Sequence, residues 1–172
     1  MKQFLFILSL LSSIGAFAPH NFVSRPSPHL RSAASDVNEA DYDLSLFSPC
    51  KINLFLRIIR KREDGFHDLA SLFQTIGFGD MLYLKLDEDA SAECDSFECN
   101  MEGVPTDKTN LVIRALDLVR SKTGNDEKFF KANLVKQVPA QAGLGGGSGN
   151  AAAAMWGANE LLGRPASLEE VS

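Results

Sequence analysis

Residues Gln137 to Leu162 read QVPAQAGLGGGSGNAAAAMWGANELL, five glycines within seven positions followed at once by a run of alanines. Gly143, Gly145, Gly146, Gly147 and Gly149 lower the steric barrier to positive φ and let the backbone approach whatever lies beside it. Just upstream, Phe130, Ala132, Leu134 and Val138 suggest a strand ending at Pro139. Downstream, Asn150 through Leu162 reads as an alanine-rich helix, with Met155, Ala158, Leu161 and Leu162 widening its apolar face and Gly163 and Pro165 stopping it. A strand, a glycine-rich loop and a helix N-terminus together gather unpaired N–H groups at the positive end of a helix dipole, an arrangement that binds phosphate.

The run does not fit the two commonest nucleotide motifs. Walker A needs a lysine after the last glycine, and no lysine lies anywhere from Gln137 to Ser172. The relaxed dinucleotide fingerprint matches at Gly147, Gly149 and Ala152, but Pro139 to Gly146 separate it from the strand, and Glu169 and Glu170 open a helix where an acid ending a strand is required.

Working outward, apolar residues alternate through Ile52, Leu54, Leu56 and Ile58, the period of a half-buried strand. RKREDGFHD breaks the pattern at Asp64-Gly65, a turn signal. A second extended run covers Leu69 to Phe78, and Leu82, Leu84 and Leu86 alternate in a third after a turn expected at Gly79-Asp80. Asp64, Asp68 and Asp80 are accounted for by turn chemistry. Asp107 or Thr109 is positioned to cap a helix through Leu111, Val112, Ala115, Leu116 and Val119.

At 172 residues with 45% apolar and 23% charged content, the chain has the composition of one globular domain. Its charge is unevenly spread. The first 35 residues carry Lys2, Arg25 and Arg31 and no acid, whereas the rest holds all 22 acids against 14 bases, a net of −8. Lys2, the apolar run Phe4 to Ile14, and Gly15, Ala16 and Ala18 have the pattern of a secretory signal peptide, with a buried N-terminal helix as the plainer alternative. About 11 apolar residues are too few for a membrane span, which takes roughly 20. Residues 19 to 35 are rich in Ser, Pro, His and Arg, a transit-peptide composition, and residues 36 to 46 read as an acidic linker. Cys50, Cys94 and Cys99 offer no metal array. They are read as free thiols, with a Cys94 to Cys99 disulfide left open by the signal-like start. Ser167-Leu168-Glu169-Glu170 has the form of a capping box, so the chain is expected to be the front part of a longer protein.

VPAQAGLGGGSGNAAAA resembles the second motif of the GHMP kinases. Within that superfamily, Ser48 to Leu82 is similar to the opening of the 4-diphosphocytidyl-2-C-methyl-D-erythritol kinase family, through Pro49-Cys50-Lys51-Ile52-Asn53-Leu54, Asp64-Gly65-Phe66-His67-Asp68-Leu69, Phe73-Gln74 and Gly79-Asp80. Thr109-Asn110-Leu111 and the residues after it resemble a further family block. The resemblance spans about residues 44 to 172. It implies an α+β fold, the GHMP-kinase N-terminal domain of the ribosomal protein S5 domain 2-like class, incomplete at its C-terminus. The implied activity is ATP-dependent phosphorylation of the 2-hydroxyl of the cytidyl substrate in the non-mevalonate (MEP) isoprenoid pathway. Another GHMP small-molecule kinase, or an inactive fragment, stand as alternatives.

Carried over by position, Lys51 is the implied catalytic lysine, beside the acceptor hydroxyl, where a cation can lower the hydroxyl's pKa and offset transition-state charge. Asn53, Phe66 and His67 match substrate positions, with Phe66 in place of the usual Tyr, which keeps ring stacking and removes a hydroxyl. Asn110, Leu111 and Lys136 match the adenosine end of the nucleotide, with Pro139 also on the nucleotide side. Gly143, Leu144, Gly145, Gly146, Gly147, Ser148, Gly149 and Asn150 would hold the phosphates of ATP, with Ser148 able to approach Mg²⁺. Gly149 replaces the family's more usual second Ser. The family's catalytic aspartate, in a Gly-Ala-Asp-Val-Pro-like segment, is expected beyond Ser172. GAFAP at Gly15 to Pro19 resembles the cleavage motif of proteins imported into complex plastids. The expected division is 1–16 signal peptide, 17–40 plastid transit peptide and linker, and 41–172 kinase domain in the plastid stroma. The expected partner is the small-molecule substrate, with no nucleic acid and, after processing, no membrane.

Overall fold

The computed structural model describes residues 37 to 89 and 91 to 167. The signal and transit assignments up to residue 36, and the glutamates of the expected capping box, lie outside the described residues. A 3-10 turn at Glu39–Asp41 precedes β1 (Leu44–Lys61), β2 (His67–Leu86), β3 (Ser96–Cys99), α1 (Leu111–Thr123), β4 (Phe130–Val135) and α2 (Gly146–Leu161). The four strands form one sheet in the order β1-β2-β4-β3. β2 is antiparallel to both β1 and β4, and β3 is parallel to β4, so α1 serves as the crossover that a parallel pair requires.

One face of the sheet carries both helices. Leu82, Leu84, Ala132 and Leu134 meet Val112, Leu116 and Val119 of α1 and Ala151, Ala154, Met155 and Ala158 of α2 in one buried cluster. Burial of each large side chain there contributes about 1.5–3 kcal/mol. The alanines give α2 a small-residue face toward this cluster. This two-layer arrangement is the α+β fold expected from the sequence.

Alternation along β2 sends Met81 and Tyr83 to the opposite face, where they pack with Val135, Val37, Tyr42 and Phe47. The acidic stretch read as a linker is thus tied to the sheet. Tyr83 is fully buried and its hydroxyl donates to Glu39 Oε1 at 3.1 Å. Burial, then the hydrogen bond and charge of Glu39, push the phenol up to about 12 from 10.0. The neutral phenol is the form that the fold favours, so its stabilisation is complete below pH 10 and is lost as pH rises from there towards about 12. Alkaline unfolding followed by circular dichroism should therefore steepen in that window for the wild type and flatten there for Tyr83→Phe.

Three local expectations are corrected. The turn placed at Gly79-Asp80 is absent, and β2 runs straight through it, because Gly79 lies flat against the Ser48–Pro49 backbone and the Asp80 carboxylate is taken up by other segments. The helix cap is Asn110, whose Oδ1 accepts from Val112 N at 2.8 Å, while Asp107 closes the preceding turn on Thr109 N at 2.9 Å. The half-buried face expected for β1 is exposed at Leu54, Leu56 and Ile58. β4 pairs with β2 only over Met81 to Leu86, so the outer part of the β1–β2 hairpin extends beyond the rest of the sheet. The hairpin turn itself forms as expected at Asp64-Gly65, where Asp64 Oδ1 accepts from Phe66 N at 3.1 Å and Gly65 adopts φ 84°. β3 was not legible in advance, being only four residues long.

Candidate active site

The glycine run departs from a simple loop. The helix expected from Asn150 begins at Gly146, so Gly146, Gly147, Ser148 and Gly149 are its first turn. Gly145 is the N-cap residue, with φ 73°, a left-handed conformation that glycine adopts at little cost. No side chain caps this end. The amides of Gly146, Gly147 and Ser148, which have no partners within a helix, are thus presented by residues without bulky side chains, while Gly149 N donates to Gly145 O at 2.9 Å. Close approach explains the early glycine: a Cβ on Gly146 would lie 2.9 Å from Val138 Cγ1 and 3.3 Å from Lys136 Nζ.

Lys51 is brought to this end by β1. Its backbone N donates to Leu144 O at 3.0 Å, and its Nζ donates to Gly143 O at 2.8 Å and to Asn53 Oδ1 at 3.3 Å. The ammonium also stands 5.2 Å from the centroid of the Phe73 ring, a cation–π distance. The Lys51 stem passes against Gly145, where a Cβ would meet Lys51 Cγ at 3.1 Å. A cation and a helix N-terminus thus face one another across the glycine turn, a pairing suited to stabilising negative charge. Leu111 also borders the turn, with Cδ1 3.6 Å from the position a Gly147 Cβ would occupy.

Below the turn sits Asp80, fully buried. Its Oδ1 accepts from Gln137 N at 2.7 Å and Val138 N at 2.8 Å, and its Oδ2 accepts from Lys136 Nζ at 2.8 Å and Asn150 Nδ2 at 2.9 Å. Lys136 and Asn150 were expected among the nucleotide contacts. Their side chains hydrogen-bond the Asp80 carboxylate. Asn110 is similarly occupied, capping α1 through Oδ1 and donating from Nδ2 to Pro105 O at 2.5 Å. Pro139 and Gly143 are exposed on the loop, and Ser148 is half-buried in the first turn of α2.

Phe66 and His67 stand at the far end of the hairpin. Lys61 pairs with His67, ten residues along β1 from Lys51, a reach of up to roughly 33 Å in a straight strand. Register shifts at Pro49/Lys51, Asn53/Phe55 and Ile58/Arg60 interrupt the ladder between them, and such irregularities bend and twist a hairpin. The structure therefore gathers Lys51, Asn53 and the glycine turn in one place, and joins Phe66 and His67 to it through the hairpin.

Sequence reading did not show the surroundings of two buried groups near the turn. Ser48 Oγ and Asn150 Oδ1 are buried without a partner. Ser48 Oγ lies 2.8 Å from where a Gly149 Cβ would fall, so the glycine at 149 lets Ser48 sit close against the first turn of α2. The signals for Asp80 were its place in the Gly79-Asp80 block and a lone acid at the head of the apolar run MLYLKL. Cys50 is buried beside Asp80, and burial and that carboxylate push its thiol up, so it packs as a neutral side chain.

The family model described as the GHMP kinases N terminal domain matches residues 110–172. The chloroplastic 4-diphosphocytidyl-2-C-methyl-D-erythritol kinase of Arabidopsis thaliana is 54% identical over 140 residues, covering 80% of this chain and 36% of the relative. The chloroplastic enzyme of the same name from Oryza sativa subsp. japonica is 54% identical over 136 residues, covering 79% and 33%. The chain thus spans about a third of the length of these relatives. A crystal structure of 4-(cytidine 5'-diphospho)-2C-methyl-D-erythritol kinase superposes with a TM-score of 0.59 at 29% identity, covering 73% of this chain and 43% of that one. Family model, sequence and fold agree with the geometry of the glycine turn: the chain belongs to the GHMP kinases, as the N-terminal part of that fold, and its sequence falls with the 4-diphosphocytidyl-2-C-methyl-D-erythritol kinases.

Proposed function

We propose that the intact protein transfers the γ-phosphoryl group of ATP to the 2-hydroxyl of 4-diphosphocytidyl-2-C-methyl-D-erythritol, in the plastid stroma. The observation that carries this reading is the seat of Lys51: a cation held 2.8 Å from the Gly143 carbonyl, beside a helix N-terminus that no side chain caps. ATP supplies the phosphoryl group and the driving force, and transfer depends mainly on positioning and electrostatics. The amides of Gly146, Gly147 and Ser148 bind phosphate oxygens. Lys51 stabilises the hydroxyl oxygen as its proton leaves, and Asn53 fixes the ammonium's direction.

Among the described residues no three metal-ligating side chains converge. Mg²⁺ bound together with the phosphates would offset their charge, and the Ser148 hydroxyl is the side chain that would approach it. Asp80 is not the base, since it is fully buried and accepts from four donors. The family's aspartate is expected C-terminal to the described residues. Phe66 and His67 receive the cytosine, the exposed ring by stacking and the imidazole by hydrogen bonding. The chloroplastic names of the plant relatives and the signal-plus-transit pattern of residues 1–16 and 17–40 support the plastid address.

The test is a phosphoryl-transfer assay of the intact protein with Mg-ATP against the cytidyl substrate, homoserine and mevalonate in parallel. Turnover confined to the cytidyl alcohol is the expected result. Turnover of homoserine or mevalonate instead would move the protein to a different GHMP kinase activity.

A further inference from the structure

We infer that Asp80 is a positioning residue for nucleotide binding, a single buried carboxylate that closes both ends of the glycine turn at its base. The inference rests on the kinase reading above and adds to it a residue that touches neither substrate. Entry to the turn is pinned at Gln137 N and Val138 N, and exit is pinned at Asn150 Nδ2, all on the same carboxylate. Between these anchors the backbone passes through three positive-φ residues, Gln141 at 60°, Gly143 at 75° and Gly145 at 73°. Gly143 and Gly145 adopt this conformation at little cost, whereas Gln141 keeps it only where its surroundings over-determine it.

The anchors also set what lies under the phosphate amides. Fixing Val138 N places the buried Val138 side chain directly beneath Gly146, and the Asp80 ion pair holds Lys136 Nζ beside it. Ser48, which pairs with Asp80 across β1 and β2, closes the other side against Gly149. Asp80 thereby acts on the phosphate cradle through Val138, Lys136 and Asn150.

Asp80→Ala alone strands a buried ammonium, which is strongly destabilising. The informative variants therefore change both members of the pair in the full-length enzyme. Asp80→Asn with Lys136→Gln keeps an acceptor for the two amides, and a flip of the Asn150 amide lets the introduced Nδ2 donate to its otherwise unpartnered Oδ1. Asp80→Ala with Lys136→Met removes those bonds without leaving a charge. KM for ATP should rise by roughly tenfold or more in the Ala/Met pair and stay within about threefold of wild type in the Asn/Gln pair, with KM for the alcohol within about threefold in both. A folded Ala/Met pair with wild-type KM for ATP overturns the inference, as does a parallel rise in both KM values. Should the Ala/Met pair not fold, Asn150→Ala supplies the same reading: calorimetric Kd for Mg-ATP weakened by about threefold or more supports it, and an unchanged Kd overturns it. If wild-type protein itself gives no heat with Mg-ATP, the kinase reading falls. If wild type binds and the variants bind equally well, only the role of Asp80 falls.

Discussion

Lys51→Ala in the intact enzyme should lower kcat more than tenfold, a loss above about 1.4 kcal/mol of transition-state stabilisation. Alanine removes both the ammonium bonded to Gly143 O and Asn53 Oδ1 and the stem lying against Gly145. Lys51→Met separates these contributions, because it keeps an unbranched stem against Gly145 and discards only the charge. If the charge acts on the reacting oxygen, the methionine variant should lose nearly as much turnover as alanine while KM for ATP changes little. If Lys51 only props up the turn, methionine should recover most of the activity. Unchanged turnover in both variants would remove Lys51 from the chemistry.

Gly79→Ala should be the most damaging single methyl addition in the sheet. A Cβ there would fall 2.2 Å from Ser48 O and 2.8 Å from Pro49 Cα, and both obstacles are backbone. No rotamer change can relieve such a clash, so β1 and β2 must separate at the register shift beside Lys51. The expected cost is about 3 kcal/mol, at the upper end of overpacking effects, and a fall in Tm on the order of 6–12 °C for a chain of this size. Gly77→Ala is the matched control, two residues along the same strand with nothing within 4 Å of its added Cβ. It should change stability by less than about 0.5 kcal/mol. Equal Tm values for the two variants, measured by thermal denaturation, would refute the close approach at Gly79.

Both predictions turn on contacts between segments far apart in sequence, and the limits of sequence reading lie at the same contacts. The Asp64-Gly65 hairpin turn was legible because its hydrogen bonds are made within a few residues. Gly79-Asp80 carries an equally good turn signal, yet the chain runs straight there. Four donors from the β4 end and from α2 take the Asp80 carboxylate, and the glycine serves close backbone approach. Lys51 and the glycine run were recognisable as motif blocks, but nothing in either block states that Lys51 bonds both Leu144 O and Gly143 O. Lys136 and Asn150 were expected among the nucleotide contacts from their motif positions, while the burial of their side chains against Asp80 was invisible.

Alone, the amino-acid order determined the features that depend on near neighbours: strand period, hairpin turn, helix faces, the stop at Gly163 and the glycine run. Folding decided which of those periods is buried, where α2 begins, and which acid is structural. The physical reason is that propensity and alternation are properties of a few adjacent residues, whereas desolvation and hydrogen-bond satisfaction depend on what the rest of the chain brings alongside. Position 146 takes glycine because Val138 and Lys136 lie beneath it, and Leu54 is exposed because β4 does not reach it.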